Sequence, residues 1–368
     1  MTNPRRMMMA AAGSAGGSTY YLWTSGDGED GQIGNGVAAS VSTPVQVGSN
    51  SDWLDIAFGD VHGGGVTQDY KLFTWGRGNN GGTGHSNTTG YSSPVQVGSL
   101  TDWLQCDFGY DTGAAVKTDG TLWMWGKNNW GQLGTGNQTS ISSPAKIGTL
   151  TDWRQVSTRR IHTSATKTDD TVWCWGNGDW GANGDGSTTN QSSPVKIGTL
   201  TDWAWVDSLH QGSIALKTDG TIWCWGFNHA GQIGDGTTTA RSSPVQIGAL
   251  TTWTQVSGGA YHAGAIKSDG TLWLWGDNEK GQLGNSSVTN ESSPIQVGSG
   301  TDWSIVECAG RTTWAIKTDG SLWSWGDDRE GSLGNGTAAR ISSPQQVGSD
   351  TDWLHLGCGT RNVGALKE

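Results

Sequence analysis

The chain has 368 residues, with 22 Lys and Arg against 33 Asp and Glu, for a formal net charge of −11. That balance argues against nucleic acid, whose phosphates need a basic stripe, and no segment approaches 18 apolar residues in a row, which excludes a membrane-spanning helix. An apolar fraction of 33% alone would lean toward disorder, but 23 Trp and 60 Gly reject it. Each buried Trp removes roughly 150–250 Å² from water, so the core is built from few, large side chains joined by many tight turns.

In chain order, residues 1–18 (MTNPRRMMMAAAGSAGGS) come first and stand outside everything that follows. Their apolar run of about seven residues makes a poor secretion signal, and a Gly/Ala/Ser tail is expected to be ordered only where it docks on something. Residues 19–50 carry two predicted strands, between Tyr21 and Val47. From there the sequence is periodic. Trp recurs at 53, 103, 153, 203, 253, 303 and 353, and Pro at 44, 94, 144, 194, 244, 294 and 344, with no drift in the 50-residue spacing. A W-x-W-G element recurs from Trp123 to Trp323, with Phe73 and the pair Trp23 and Gly26 as variants.

One unit shows the predicted elements. Trp203–Asp207 starts a first strand, Ser213–Lys217 forms a second, and Asp219-Gly220 supplies a tight hairpin turn. Thr221–Trp225 alternates as a third strand with Trp223 and Trp225 on one face. After a long Gly-rich loop, Pro244 opens a short outer strand ending at Ile247, a place where no ladder donor is lost. Four strands per unit at this period mean propeller blades. Residues 351–368 hold only the first two strands of a unit, from Trp353 to Lys367, and residues 19–50 hold only the last two. The expected architecture is therefore an all-β, seven-bladed β-propeller over 19–368, with four-stranded antiparallel blades. The N- and C-terminal half-blades close its ring.

The units "TTWTQVSGGAYHAGAIKSDGTLWLWGDNEKGQLG" at 251–284 and "TDWSIVECAGRTTWAIKTDGSLWSWGDDREGSLG" at 301–334 resemble the regulator-of-chromosome-condensation repeat. The G-x-x-H-x-x-A-I and W-G-x-N-x-x-G-Q-L-G signatures carry the resemblance, which covers about 350 of the 368 residues. It implies the fold; this scaffold hosts many unrelated functions. The founding member of the family exchanges guanine nucleotides through a wedge inserted in one blade and binds chromatin through a basic tail. Here the spacing leaves no room for a wedge, and the tail offers only Arg5 and Arg6. A second relative, a secreted bacterial inhibitor of β-lactamase, grips its target with aromatic loop residues on one propeller face, a precedent that fits this chain better.

No nucleophile elbow, P-loop, H-E-x-x-H or paired-carboxylate pattern stands out, so the expectation is binding rather than catalysis, with no cofactor and no metal. His62, His162 and His262 share one repeat position, but Thr112, Gly212, Thr312 and Asn362 replace them in other blades, which favours a structural role. Asp27, Glu29 and Asp30 lack the spacing of an oxygen-ligand calcium loop. Cys106, Cys174, Cys224, Cys308 and Cys358 read as small buried apolar residues, and tilt the expected compartment toward a reducing one. The Asp-Gly turns and TDW links barely change from unit to unit, and their Asp residues are accounted for by turn chemistry.

The opposite loops vary: "TRRIH", "SLHQG", "GGAYH" and "CAGRT" in one set, "KNNW", "NGDW", "FNHA", "DNEK" and "DDRE" in the other. A duplicated chain that has diversified one face is expected to recognise something with it. Nineteen of the 23 Trp occupy repeating core positions. Of the rest, Trp205 and Trp314 lie in strands and are expected in the core, whereas Trp130 and Trp180 share one loop position in adjacent blades and are candidate anchors. Phe227, His229, Arg159, Arg160, Tyr261 and Arg329 complete the candidate binding face.

The opening NPRRMMMAAAG also resembles the start of virion proteins from marine tailed phages, some of which carry these repeats. That resemblance implies a tail (Pro4, Arg5, Arg6, Met7, Met8, Met9) that anchors the chain in a virion and an outward-facing fibre, decoration or host-recognition propeller. Its partners would be proteins of a larger assembly and a cell-surface glycan or receptor. The alternative is a free cytoplasmic propeller that scaffolds or inhibits a partner protein; an exchange factor ranks last.

Overall fold

In the computed structural model, which describes residues 19–337 and 339–368, the strands form seven separate four-stranded antiparallel sheets. The anchoring segment proposed above, Pro4 to Met9, lies outside the described residues. In the blade over 203–246, β15 (Trp203–Leu209), β16 (Gly212–Lys217), β17 (Ile222–Gly226) and β18 (Arg241–Gln246) lie side by side in chain order. The first strands of successive blades contact one another all the way round, so they line the axis and the fourth strands form the rim.

Closure occurs where the two half-blades predict it. The N-terminal strand β1 (Tyr21–Gly26) pairs antiparallel with the last strand β28 (Asn362–Lys367), with Tyr21 opposite Lys367 and Trp23 opposite Ala365. Trp23 meets Trp353 edge to face at 6.4 Å across this blade. The pairing completes two half-blades into one four-stranded sheet like the other six, so only short strand edges protected by neighbouring blades remain.

The repeated Trp residues pack between blades and also bond across them. Trp203 meets Trp223 and Trp225 at 6.0 and 6.2 Å. The buried Trp225 donates its indole N–H to the carbonyl of Ala182 in the preceding blade (3.1 Å), and Trp175 does the same to Gln132 (2.9 Å). Gly184 explains why the loop there ends in Gly: its φ is +71°, and a Cβ would sit 2.6 Å from the Trp225 indole nitrogen. Buried glutamines on the inner strands add a second tie. Gln105 accepts the N–H of Val156 (3.0 Å) and donates to its carbonyl (2.8 Å), so one side chain completes the backbone of the next blade.

Lys217 lies over Trp203 and Trp223 (4.7 and 4.4 Å to the ring centres) and pairs with Asp202 at 3.2 Å. Lys117 and Lys317 repeat this with Asp102 and Asp302. Asp102, Asp152, Asp202 and Asp302 on this face thus have lysine partners whose stems are buried against Trp.

Two local expectations need correction. The Asp-Gly hairpin has a three-residue loop rather than two, because Lys217 and Thr221 close it through the Lys217 N–H (2.9 Å). Only Gly220 is left-handed (φ +80°), while the Asp219 carboxylate accepts the Thr221 N–H. Pro244 lies inside β18 and not at its start: the β17–β18 register shifts between Cys224 and Gly226, and that irregularity accommodates a residue with no N–H to give.

Candidate binding face

The first-to-second and third-to-fourth strand loops meet on one face, and ring contacts join them. Trp180 packs edge to face on Phe227 (5.5 Å) and His229 (4.9 Å). Phe227 reaches Tyr261 in the next blade (6.5 Å), and Tyr261 stacks edge-on against His210 (5.3 Å), its hydroxyl 3.0 Å from Nδ1. His210 lies 3.4 Å from Arg160, whose guanidinium stands over Tyr110 at 5.4 Å. Five of the eight candidate residues are thereby brought into one arc that runs from the rim at Trp180 to the mouth of the axis. His210 and Tyr110 were missed. The available signal was their place beside Arg160, since Asp60, Tyr110, Arg160, His210, Ala260, Gly310 and Thr360 are one repeat position in seven blades.

The other three are placed differently. Arg159 turns into the axis, where its guanidinium donates to the carbonyls of Gly258 (2.6 Å), Cys308 (2.8 Å) and Cys358 (3.5 Å). Of the six equivalent residues, Gly59, Gly109, Gly259, Ala309 and Gly359 are small and only Leu209 is bulky, so the Arg159 side chain has room where the inner strands converge. Arg329 is exposed, pairs with Asp327 at 3.1 Å and lines a cavity of about 230 Å³ with Tyr261, Arg311 and Arg361. Trp130 is 39% exposed and outside the arc; among the described residues it has no ring contact.

Trp130 and Trp180 share a repeat position yet differ in backbone, and the residue two places on decides it. Gln132 accepts the Trp130 N–H on Oε1 (2.9 Å), as Gln32, Gln232 and Gln282 do in their loops. Ala182 offers no such acceptor. Its own N–H instead donates to Asp179 (3.2 Å), closing a 3-10 turn over Asp179–Gly181, and Trp180 goes left-handed at φ +61°. Gly82 and Ser332 have the same effect on Asn80 (φ +55°) and Glu330 (φ +60°). A tryptophan held in that region is strained, and here the strain accompanies 45% exposure and the packing on Phe227 and His229.

Burial dominates the titrating groups nearby. His210 is held down to about 4 by burial and then by the Arg160 charge, so it is neutral near pH 7. His62 and His162 are depressed to about 4 and His262 to about 3, in each case first by complete burial. His262 Nε2 sits 2.9 Å from the Thr313 hydroxyl, and His162 Nε2 is 3.4 Å from that of Ser213. Burial and the Asp27 charge push Glu330 upward. Asp27, Glu29 and Asp30 line a separate cavity of about 430 Å³ with Asp60, Arg77, Arg160 and Arg361. Among the described residues no three His, Cys, Asp or Glu gather closely enough to hold a metal ion. All five cysteines are buried free thiols, and Trp205 and Trp314 are 7% and 1% exposed, as expected for core residues.

The RCC1-like domain model matches residues 22–364. The chain belongs to the RCC1-like domain family. Human WBSCR16 superposes with a TM-score of 0.86 at 18% identity, over 95% of this chain and 99% of that one. Saccharomyces cerevisiae Prp20p, described with its binding to Gsp1p and histones, gives 0.83 at 17% identity over 95% and 92%. Yeast RCC1 (Prp20) bound to Kap60 gives 0.83 at 16% over 95% and 89%. At these identities the likeness is one of fold. No curated protein matches the chain. Among the described residues no helix is long and apolar enough to cross a membrane.

Proposed function

We propose that this RCC1-like propeller is a binding module that holds a partner protein on its diversified loop face and catalyses no reaction. The observation that carries the reading is the continuous arc Trp180–Phe227/His229–Tyr261–His210–Arg160, assembled from loops of three successive blades and built on an exposed Trp. Exposed Trp, Tyr and Arg on a rigid support are the residue types that dominate interface energetics. The family precedent is consistent: the yeast relative is described with Kap60, Gsp1p and histones. Guanine-nucleotide exchange is not proposed, because the strictly spaced loops leave no room for an inserted wedge.

The test is retention of partners from the native source by wild-type protein, by Trp180→Ala with Phe227→Ala, and by Leu150→Ala with Leu200→Ala on the opposite face. The loop-face pair should lose a partner that both other proteins keep. Loss only with the leucine pair would place the interface on the other face.

A narrower reading makes the chain a virion surface protein anchored by residues 1–18, and it rests on the opening NPRRMMMAAAG. Removing residues 1–18 should then leave the propeller folded and abolish incorporation into the particle. Incorporation of the shortened chain at parental levels would rule the anchor out.

A further inference from the structure

Ring contacts organise one side of the loop face, and charge organises the other. Beyond Tyr261 lies the cavity of about 230 Å³, where Arg311, Arg329 and Arg361 meet a single carboxylate, Asp327. Arg329 pairs with Asp327, and Arg361 reaches the exposed Glu330 only at 3.5 Å. Arg311 is half-buried and, among the described residues, makes no ion pair or side-chain hydrogen bond. In a protein of net charge −11, three guanidinium groups around one carboxylate form a local excess of positive charge. A planar guanidinium presents several N–H donors in a fork that matches a carboxylate, and partial burial strengthens such a bond relative to open water.

We propose that this cavity receives a carboxylate side chain from an acidic segment of the partner protein, and that an apolar residue of the same segment lies on the arc from Tyr261 to Trp180. The proposal rests on the loop-face reading and adds the chemistry of what is bound. Two neighbours shape that choice. On one side Tyr261 joins the cavity to Phe227 and Trp180, which favours a ligand with an apolar group close to its acid. On the other side Thr360 and Arg361 are shared with the cavity lined by Asp27, Glu29, Asp30 and Asp60. A long polyanion such as a nucleic-acid strand would cross those carboxylates and be repelled.

The experiment titrates the full chain into a fluorescein-labelled Glu-Glu-Phe-Glu-Glu peptide, followed by anisotropy, with Gln-Gln-Phe-Gln-Gln and a labelled oligothymidylate as separate probes. The acidic peptide should bind saturably and more weakly as salt rises. Arg311→Gln with Arg361→Gln should weaken it at least about tenfold, while Lys146→Gln on the opposite face changes nothing. An unshifted melt of the double variant shows that it is folded. No saturable binding of the acidic peptide, equal binding of the glutamine peptide, undiminished binding by the folded double variant, or preference for oligothymidylate would each overturn the proposal. If the peptide fails while Trp180→Ala with Phe227→Ala still loses the native partner, the pocket chemistry is wrong and the loop-face reading survives.

Discussion

Single residues separate the core from the recognition surface. Trp153 is 3% exposed and Trp203 is 2% exposed, so Trp153→Ala should cost roughly 3–5 kcal/mol in a denaturant melt. Trp130→Ala should stay within about 0.5 kcal/mol, since among the described residues that half-exposed ring has no ring partner. Trp180→Gly should not destabilise either, because Gly adopts φ +61° without the penalty a tryptophan carries there. Destabilisation by either loop change as large as that of Trp153→Ala would make the loop rings core. The buried histidines give a pH signature. Their folded-state pKa values (about 4 for His62 and His162, about 3 for His262) lie below the usual value of 6.5. The unfolded chain therefore takes up protons first as pH falls. Stability should be fully present above pH 6.5 and decline toward pH 4 by about 1.4 kcal/mol per pH unit for each histidine. His162→Asn should flatten that slope by one histidine's share; an unchanged slope would show that His162 is not buried neutral.

At the level of one loop, a two-residue relation decides where an anchor points. Ala182→Gln should supply the acceptor that Gln132 supplies to Trp130, draw Trp180 out of the left-handed region and raise stability by about 1 kcal/mol. Gln132→Ala should do the reverse to Trp130. A crystal structure of each variant reads the backbone directly, and an Ala182→Gln loop still at positive φ would refute the relation. The relation was present in the sequence, since Gly82, Ala182 and Ser332 interrupt the repeated Gln, but which way a loop N–H turns depends on competing acceptors that spacing alone does not rank. Strands and closure were legible because Trp and Pro recur without drift and an interrupted blade must find its other half. The variable face was legible by comparing units. The inward turn of Arg159 was not, because the three carbonyls it satisfies come from blades remote in sequence. The hairpin loop was one residue longer than read, because Lys217 and Thr221 pair across it.

The whole ring is stapled by one non-covalent pairing between β1 and β28. Deleting residues 351–368 removes two strands of the closing blade, exposes the side of β1 that β28 covers, and leaves Trp23 without Trp353 and Lys367. That truncation should unfold the domain; a product melting at the parental temperature would show that the ring does not depend on closure. On this closed support the loop face is where the repeated units diverge, and its rings and charges come from loops that no single blade contains. Amide hydrogen exchange of the full chain, alone and in complex with the partner isolated from its native source, tests that claim most directly. Binding should slow exchange at 158–162, 208–212, 227–231 and 258–262 and leave the turns at 117–120 and 217–220 unchanged. Protection confined to those turns would contradict the account.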